Sequence, residues 1–504
     1  MGYLGRRPHA ATMSGSRLNS WVCVGLAFAL ALGVLAGNAG VVEAESGRGA
    51  AVTGKPPCPV LTRSPEPPMT RGSDGPRVLN PCPGFEWAKT FGTAGVYDQA
   101  LGLDVTSDGG AVVLVRTQFG GPTVLRLDGE GTVLWQQNYG NLGGTNGDIR
   151  QTSDGGLVVA IGTASPESIL VYRLDAFGNI LWQTAFDAAG SVIGPTLYSI
   201  AETLDGGFIV GGVALSADGL SRDLWALRLD STGGVVWQRT FGGPGDDLAL
   251  AGVLPTPDGG YVAAGRTAGD AGTSWVIKMD ASGNTVWQKT YTAGYFVLQS
   301  IQTTTDGGFV AAGLLQARSS NYNWAVVKLA ATGSITWQKT YGAAFGAASI
   351  SQTSDGGYVS SIALVTEGRY DFALLRLTST GNKVWQRTYG GLRDEAPCSS
   401  HCVREAADGN FLVAGYTESF GTQGGGSDDW YNTDAWVLRV FSDGTISSTC
   451  DPSFGTSLRN PTVQGSKIKA GTLAFTSSIP SMATLDPGVT ASPGTLVSYT
   501  QCAA

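Results

Sequence analysis

Residues 258–291, DGGYVAAGRTAGDAGTSWVIKMDASGNTVWQKTY, contain the local signals that decide the fold. An Asp-Gly-Gly turn at Asp258 comes first, and two β-rich stretches follow, the second of which ends in the basic residue Lys278. A second turn at 280–283 then leads into a stretch around Trp287. Asp-Gly and Gly-Gly supply the positive φ of tight hairpins, so both turns are predicted to join antiparallel strands.

The same unit recurs along the chain with a period of about fifty residues, and nothing in it has helical periodicity. Its turn aspartates are Asp108, Asp154, Asp205, Asp258, Asp306, Asp355 and Asp408. Its basic residues are Arg126, Arg173, Arg228, Lys278, Lys328, Arg376 and Arg439, and its tryptophans are Trp87, Trp135, Trp182, Trp237, Trp287, Trp337 and Trp385. Four β segments per repeat predict an all-β fold, a seven-bladed β-propeller of four-stranded antiparallel blades over residues 81–450.

The recurrent side chains have structural roles in this interpretation. One tryptophan per unit at constant spacing is typical of packing between neighbouring blades rather than of cofactor stacking. One basic residue per unit is expected to bond a turn or the next blade rather than to bind an anion at the axis. The seventh unit lacks a tryptophan of its own, so residues 85–91 around Trp87 are predicted to complete it beside the 401–440 strands and close the ring.

Composition excludes several classes of function. Only 14% of the 504 residues are charged and the net charge is −8, so the chain lacks the basic surface that nucleic acids or anionic lipids require. Residues 1–44 are predicted to be a signal peptide, because Arg6, Arg7 and Arg17 precede an apolar run at 21–42 and small residues flank position 43. An uncleaved membrane anchor is the alternative. We expect a secreted, periplasmic or cell-surface monomer without a membrane span after cleavage.

The flanking segments and the cysteines suit such a compartment. Residues 45–80 are rich in Pro and Gly and are predicted to be a linker, whereas 451–504 are predicted to be a Ser/Thr/Pro-rich, disulfide-closed tail, a small β appendage or a stalk. Six cysteines remain after residue 44, and proximity suggests three pairs, with Cys82–Cys450 as a rival pairing. The suggested pairs are Cys58–Cys82, Cys398–Cys402 and Cys450–Cys502.

The repeat resembles a known group of proteins. The pattern D-G-G-[FY]-V-x-x-G followed by [KR]-L-D-x-x-G-x-x-x-W-Q-[KR]-T-[YF]-G is similar to that of secreted bacterial and archaeal β-propeller repeat proteins, most of which have no assigned activity. The L-D-x-x-G-x-x-x-W element is also similar to the tryptophan-docking motif of quinoprotein propellers and, distantly, to WD40-like propellers. The residues that hold the quinone in that family are not found here, so no quinone is expected.

Spacing indicates where a binding site should lie. The distance from the second turn to the tryptophan is constant, whereas the other two connections vary in length, so the variable loops are predicted to share one face of the ring. Variable loops on a rigid framework commonly carry binding residues. The candidate residues there are Asp246, Asp247, Arg393, Asp394, Glu395, His401, Asp428, Asp429, Trp430 and Tyr431.

Catalytic signatures are scarce. His401 is the single histidine after residue 44, and the sequence contains no G-x-S-x-G, H-E-x-x-H or P-loop motif. The C-S-S-H-C run at 398–402 is expected to be a small disulfide loop rather than a zinc site. We therefore expect a binding or scaffold module for a glycan or protein, without catalytic residues or a cofactor, calcium on the acidic loops being the one candidate. The alternative is an endoglucanase-like hydrolase or a lyase that uses a carboxylate pair on the variable face.

Overall fold

The computed structural model describes most of residues 87–446 and the strands of the C-terminal tail. The described ranges are 87–93, 97–118, 121–140, 146–163, 168–187, 196–215, 220–243, 245–248, 250–267, 273–293, 295–316, 322–366, 369–391, 393–398, 401–420 and 433–446. Within 455–503 only the main chain of the strands is described. The predicted signal peptide and linker lie outside these ranges. No helix in the described part of the chain has the length and apolarity needed to cross a membrane.

Every regular element in the described ranges is a β-strand. The first strands are β1 (Trp87–Gly92), β2 (Asp98–Val105), β3 (Ala111–Thr117), β4 (Gly121–Leu127), β5 (Val133–Asn138), β6 (Asn146–Gln151), β7 (Leu157–Gly162), β8 (Ser168–Leu174), β9 (Ile180–Asp187), β10 (Thr196–Glu202), β11 (Phe208–Leu215), β12 (Arg222–Leu229) and β13 (Val235–Gly242). There follow β14 (Val253–Pro255), β15 (Tyr261–Thr267), β16 (Thr273–Met279), β17 (Thr285–Thr292), β18 (Phe296–Thr303), β19 (Phe309–Gln316), β20 (Tyr322–Leu329), β21 (Ile335–Gln352), β22 (Tyr358–Thr366), β23 (Arg369–Leu377), β24 (Lys383–Gly390), β25 (Glu395–Pro397), β26 (Val403–Glu405), β27 (Phe411–Thr417) and β28 (Asp434–Val440). The tail contains β29 (Gly455–Leu458), β30 (Val463–Gln464), β31 (Lys469–Gly471), β32 (Thr476–Ser478), β33 (Ala483–Leu485), β34 (Ser492–Pro493) and β35 (Val497–Ala503).

These strands form antiparallel units of four, and in all but the last unit the strands follow one another in chain order. The sheet β2-β3-β4-β5 is one such unit, and β6-β7-β8-β9 is the next. A nine-stranded sheet combines two units, because β21 is a continuous strand whose first half pairs with β20 and whose second half pairs with β22. The all-β fold of four-stranded, blade-like sheets predicted from the sequence is therefore confirmed.

The two turns of each unit have the predicted chemistry. In the first unit the hydroxyl of Thr106 donates to Asp108 at 2.7 Å, and Gly109 has a φ of 86°. The carboxylate of Asp128 accepts the N–H groups of Glu130 and Thr132 in the second turn. Both turns connect antiparallel strands at the same end of the sheet. All of these turns therefore lie on one face of the ring, here called the fixed-turn face.

The units are arranged as a β-propeller. First strands of neighbouring units contact each other, as β2 does with β6, β6 with β10 and β10 with β14. β2 also contacts β26 and β27 of the last unit, which completes the circuit. β1 pairs with β28 from Trp87 opposite Arg439 to Phe91 opposite Ala435, so the N-terminal strand closes the ring as the sequence predicted.

The tryptophans join neighbouring units. The indole Nε1 of Trp87 donates to the oxygen of Gly129 at 3.1 Å, and that of Trp135 donates to Ala176 at 3.1 Å. The other tryptophans of the repeat make the same bond to the second turn of the next unit, with acceptors Ser231, Ala281, Ala331, Ser379 and Ser442. The indole rests on the turn glycine, where a Cβ on Gly131 would lie 2.6 Å from the Trp87 ring. The packing role is therefore observed.

The recurrent basic residues are bound within their own units. Arg376 Nη2 lies 2.6 Å from the turn carboxylate of Asp355, and Lys278 Nζ lies 2.9 Å from that of Asp258. The corresponding pairs are Arg126–Asp108, Arg173–Asp154, Arg228–Asp205, Lys328–Asp306 and Arg439–Asp408. Because these cations are nearly buried and ion-paired with the turns, they do not line an anion site at the axis.

The tail is part of the propeller sheets. Its seven strands are antiparallel to the outermost strands of the units and meet them in the reverse of chain order, from β24 back to β1. Thus β29 pairs with β24 at 387–390, β32 with β13 at 240–242, and β35 with all of β1. The tail is therefore neither a stalk nor a separate appendage in its described strands.

Candidate functional site

The variable face consists of the connections opposite the fixed turns. Four predicted binding residues, Asp428, Asp429, Trp430 and Tyr431, belong to the connection 421–432, which lies outside the described residues. Asp246 is on this face and partly exposed, and its carboxylate pairs with Arg222 Nη2 at 2.7 Å. Its hydrogen bonds with the side chain and N–H of Arg222 hold its pKa below the usual value. This pair is a surface feature that a polar ligand can reach.

Other predicted residues hold the loops together from inside. Asp247 is 1% exposed and accepts the N–H of Gly243 at 2.7 Å. Glu395 is fully buried, and its two oxygens accept hydrogen bonds from Gly391, Thr417 and Ser419. These two carboxylates are therefore structural groups that stabilise the loops beneath the surface.

The loop that holds Arg393 and Asp394 is fixed in the same way. The N–H of Arg393 donates to the Ser419 hydroxyl at 2.8 Å, and Asp394 Oδ1 accepts the N–H of Tyr370 at 2.9 Å. Both side chains keep intermediate exposure. Asp246 and this loop belong to different units, and no hydrogen bond or ion pair joins them among the described contacts.

A buried carboxylate recurs where the chain passes from one unit to the next. Asp98 is fully buried and accepts the N–H of Thr93 at 2.6 Å, as Asp247 does for Gly243 and Glu395 for Gly391. Each follows the end of an outer strand that reads [FY]-G-[GT]. Burial raises the pKa of Asp98 to about 7, with a contribution from the charge of Asp434. Burial also raises the pKa of Glu395 to about 7.

The axis is lined by a collar of small and polar residues. Asp148 accepts the N–H of Ile200, and Ser199 accepts that of Val253 at 2.8 Å, so each of these residues bonds the first strand of the next unit. Ser300 bonds Ile350 and Ser349 bonds Cys402 in the same manner. These residues stand six positions before the turn aspartates. The collar is one reason why the inner strands stay in register with each other.

His401 lies in this axial region. It is fully buried, has a φ of 56° and directly precedes Cys402, which forms a disulfide with Cys398 as predicted. Its Nδ1 is 3.4 Å from Asp148 Oδ2. Burial, together with the charge of Arg150, lowers its pKa to about 4, so the imidazole is neutral at physiological pH. Because the imidazole is neutral and fully buried, it has a packing role in the axial region and is not placed to contact a substrate.

The surrounding charges are paired. Arg150 Nη2 lies 3.1 Å from Asp148, and Arg404 Nε lies 3.4 Å from Asp104. Although burial opposes ionisation of Asp148, the charge of Arg150 holds its pKa below the usual value. Burial lowers the pKa of Arg404 to about 10, so it stays charged. The described ion pairs therefore balance the charges of this cluster, two carboxylates against two guanidinium groups.

Sequence analysis did not find this cluster. Asp104 lies in the first unit, Asp148 and Arg150 lie in the second, and Arg404 lies in the last. The signal that would have found the collar is the constant distance of six residues from Asp148, Ser199, Ser300 and Ser349 to the next turn aspartate.

A cavity of about 340 Å³ opens on the fixed-turn face between the third and fourth units, lined by Asp205, Arg228, Trp237 and Tyr261 among others. Among the described contacts, a Gln or Glu bridges this gap at four other unit boundaries, as Gln151 does by accepting the N–H of Ser107. Here the equivalent position is Pro255, which has no side-chain acceptor. The cavity lies at this boundary, and the sequence did not predict it.

Metal ligands do not cluster in the described part of the chain. No group of three or more His, Cys, Asp or Glu side chains has an arrangement there that could hold an ion. The candidate calcium site on the acidic loops stays a prediction, since Asp428 and Asp429 lie outside the described residues.

Comparison with known proteins returned structures only. No family model and no curated protein sequence matches the chain. Drosophila semaphorin 2a is 9% identical over 72% of this chain and 76% of its own, with a TM-score of 0.40. Sqt1 from Chaetomium thermophilum, bound to the N-terminus of ribosomal protein L10, is 10% identical over 68% of this chain and 96% of its own, with a TM-score of 0.36.

An enzyme is also among the similar structures. The α-L-arabinofuranosidase from Lactobacillus brevis is 13% identical over 61% of this chain and 92% of its own, with a TM-score of 0.28. At these identities and scores no functional property transfers to this chain, and the conclusions below rest on its own geometry.

Proposed function

We propose that this chain is a secreted or cell-surface seven-bladed β-propeller of the bacterial and archaeal repeat type, which binds a glycan or protein through its variable face. The observation that carries the proposal is the contrast between the two faces. The fixed turns repeat the same contacts around the ring, and the tryptophan and collar bonds hold neighbouring units rigidly. The connections on the opposite face differ from one another. One is part of the continuous strand β21, and another is the long segment 418–433.

Rigid mounting favours binding, because loops held in place lose little conformational entropy when a ligand docks. The loop that carries Arg393 and Asp394 is fixed from beneath by Glu395, and the Arg222–Asp246 pair is presented at the surface. The sequence of the connection 421–432 contributes the aromatic residues Trp430 and Tyr431. Carboxylates next to aromatic rings suit the hydroxyls and apolar faces of a sugar, or a polar protein surface.

A hydrolase or lyase is the second candidate, and one observation favours it. Glu395 has a pKa raised to about 7, which is the property of a general acid in a glycosidase. Its side chain is fully buried, however, and both oxygens are occupied by loop hydrogen bonds. A catalytic acid must reach the glycosidic oxygen, so this geometry supports binding over catalysis.

The test is a glycan array and a polysaccharide-depolymerisation screen on the full chain, with and without calcium. A variant in which 421–432 is replaced by Gly and Ser should lose binding without a change in Tm. The matched control is Leu204→Ser, an exposed position in a fixed turn, which should bind normally. Release of reducing ends would instead establish a hydrolase or lyase. Equal loss of binding in both variants would refute the proposal that the ligand binds at the variable face.

A further inference from the structure

The outermost strand of a propeller blade leaves a row of main-chain N–H and C=O groups unpaired, which is an open site for strand addition. In this protein the tail strands β29–β35 occupy that site on every unit. Their order is the exact reverse of the order of the units, so the tail makes one circuit of the ring with a short connection, such as 459–462 or 472–475, at each step. We call residues 455–503 the belt.

The belt is held unequally along its length. β30 pairs with Thr340 and Tyr341 only, and β34 pairs with Gln137 and Asn138 only. β35 is the longest belt strand and pairs with all six residues of β1. Since two or three main-chain bonds cannot offset the ordering of a segment, the short strands depend on the anchor at β35.

The anchor coincides with the closure of the ring. β1 comes from the N-terminal side of the repeats and is bound to the last unit through β28 on one side and β35 on the other. The belt leaves the last unit after the turn 441–446 and returns to the same sheet as its outermost strand. Its C-terminal strand therefore lies on the one blade that is assembled from distant parts of the chain.

We infer that the outer edges of the blades are strand-addition surfaces whose occupant is the belt, and that β35 locks the closing strand β1 in place. The belt keeps the edges from pairing with other chains, and its release exposes them to the edges or belts of a second copy. This goes beyond the proposed function, because it concerns the circumference of the ring rather than the variable face.

Proline scanning of β35 in the full chain tests the anchor. Successive N–H groups of an edge strand point alternately to the partner and to solvent, so prolines at consecutive positions should alternate between a large and a small effect. The scan covers Val497→Pro, Ser498→Pro, Tyr499→Pro and Thr500→Pro, which lie opposite Gly92, Phe91, Thr90 and Lys89. Amide exchange in 87–92 should accelerate at least about tenfold in every second variant. Uniform effects, or none, would overturn the inference.

Cleavage of the folded chain tests the belt as a whole. A protease site introduced at 451–454 lets the tail be cut after folding, and the cut tail should co-elute with the ring under native conditions, with reductant present so that no disulfide retains it. In the cut protein, a brief denaturant pulse that strips the tail should produce self-association by light scattering. The matched control carries the same site in the linker at 60–63 and should stay monomeric after the same pulse. A tail that elutes separately from an unchanged monomeric ring would refute the inference.

Discussion

The indole Nε1 of Trp87 donates a 3.1 Å hydrogen bond to the main-chain oxygen of Gly129, so the closing strand of the last unit is bound to the first. The same bond joins every other pair of neighbouring units that the tryptophans of the repeat connect. A ring in which each unit is held by the next gains stability as a whole, because no unit can leave without breaking two such contacts.

Trp87→Phe should lower the free energy of unfolding by about 1 kcal/mol, because phenylalanine retains most of the packing but has no N–H donor. Trp87→Ala should cost about 3–5 kcal/mol through loss of the buried ring. Chemical denaturation followed by fluorescence of the other tryptophans measures both. A Phe variant as unstable as the Ala variant would show that the hydrogen bond rather than the buried ring dominates this contact.

Gly131→Ala should destabilise the protein more than Gly109→Ala. Both glycines have positive φ, 71° and 86°, so both substitutions carry a backbone cost of about 1–2 kcal/mol. Only at Gly131 does the new methyl group also meet a neighbour, the Trp87 ring at 2.6 Å, whereas nothing lies within 4 Å at Gly109. The difference in Tm between the two variants measures the cost of the contact between the new methyl group and the Trp87 ring. Equal Tm values would contradict the close approach of the indole.

Stability should fall as pH rises from about 5 to 7, in part because of Glu395. Its pKa in the folded protein is about 7 against an ordinary value of 4.5, so between these values the unfolded chain is ionised while the folded protein keeps its proton. This contribution is fully present below pH 4.5 and is lost as pH rises through 7.

Glu395→Gln removes the titration, so the difference in unfolding free energy between wild type and variant should change by about 1–3 kcal/mol across that pH window. Urea titrations at several pH values measure it. Asp98→Asn should have an effect of the same sign, because burial raises that pKa to about 7 as well. A wild-type slope unchanged in both variants would show that these carboxylates are ionised in the folded protein.

Peptide mapping without reductant should find two disulfides in the C-terminal part of the chain. Cys398–Cys402 is formed in the structure. Cys450–Cys502 is predicted from sequence proximity, and the return of β35 to the sheet of the last unit supports it, since Cys502 lies opposite Ala88 in that sheet. Mass spectrometry of the linked peptides decides, and a Cys82–Cys450 peptide would establish the rival pairing.

The candidate site was predicted only in outline. The spacing of the loops identified the variable face, and Asp246 is indeed accessible there with Arg222. Asp247, Glu395 and His401 came from the same loops, but all three are buried. Exposure could not be predicted from loop membership, because a carboxylate that accepts the N–H groups of its own loop folds inward beneath it.

The sequence by itself determined the turns, the four-stranded units, the closing role of residues 87–91 and the structural use of the tryptophans. These follow from the positive φ of Gly and the alternation of side chains along a strand, which are local properties that repeat in every unit. Tertiary structure alone decided the rest. Ser199 meets Val253 fifty-four residues away, and Asp148 meets His401 only because the ring brings their strands to the axis. The belt could also be found only in the tertiary structure. Strand addition uses main-chain N–H and C=O groups, which nearly every residue has, so it leaves no side-chain pattern in the sequence.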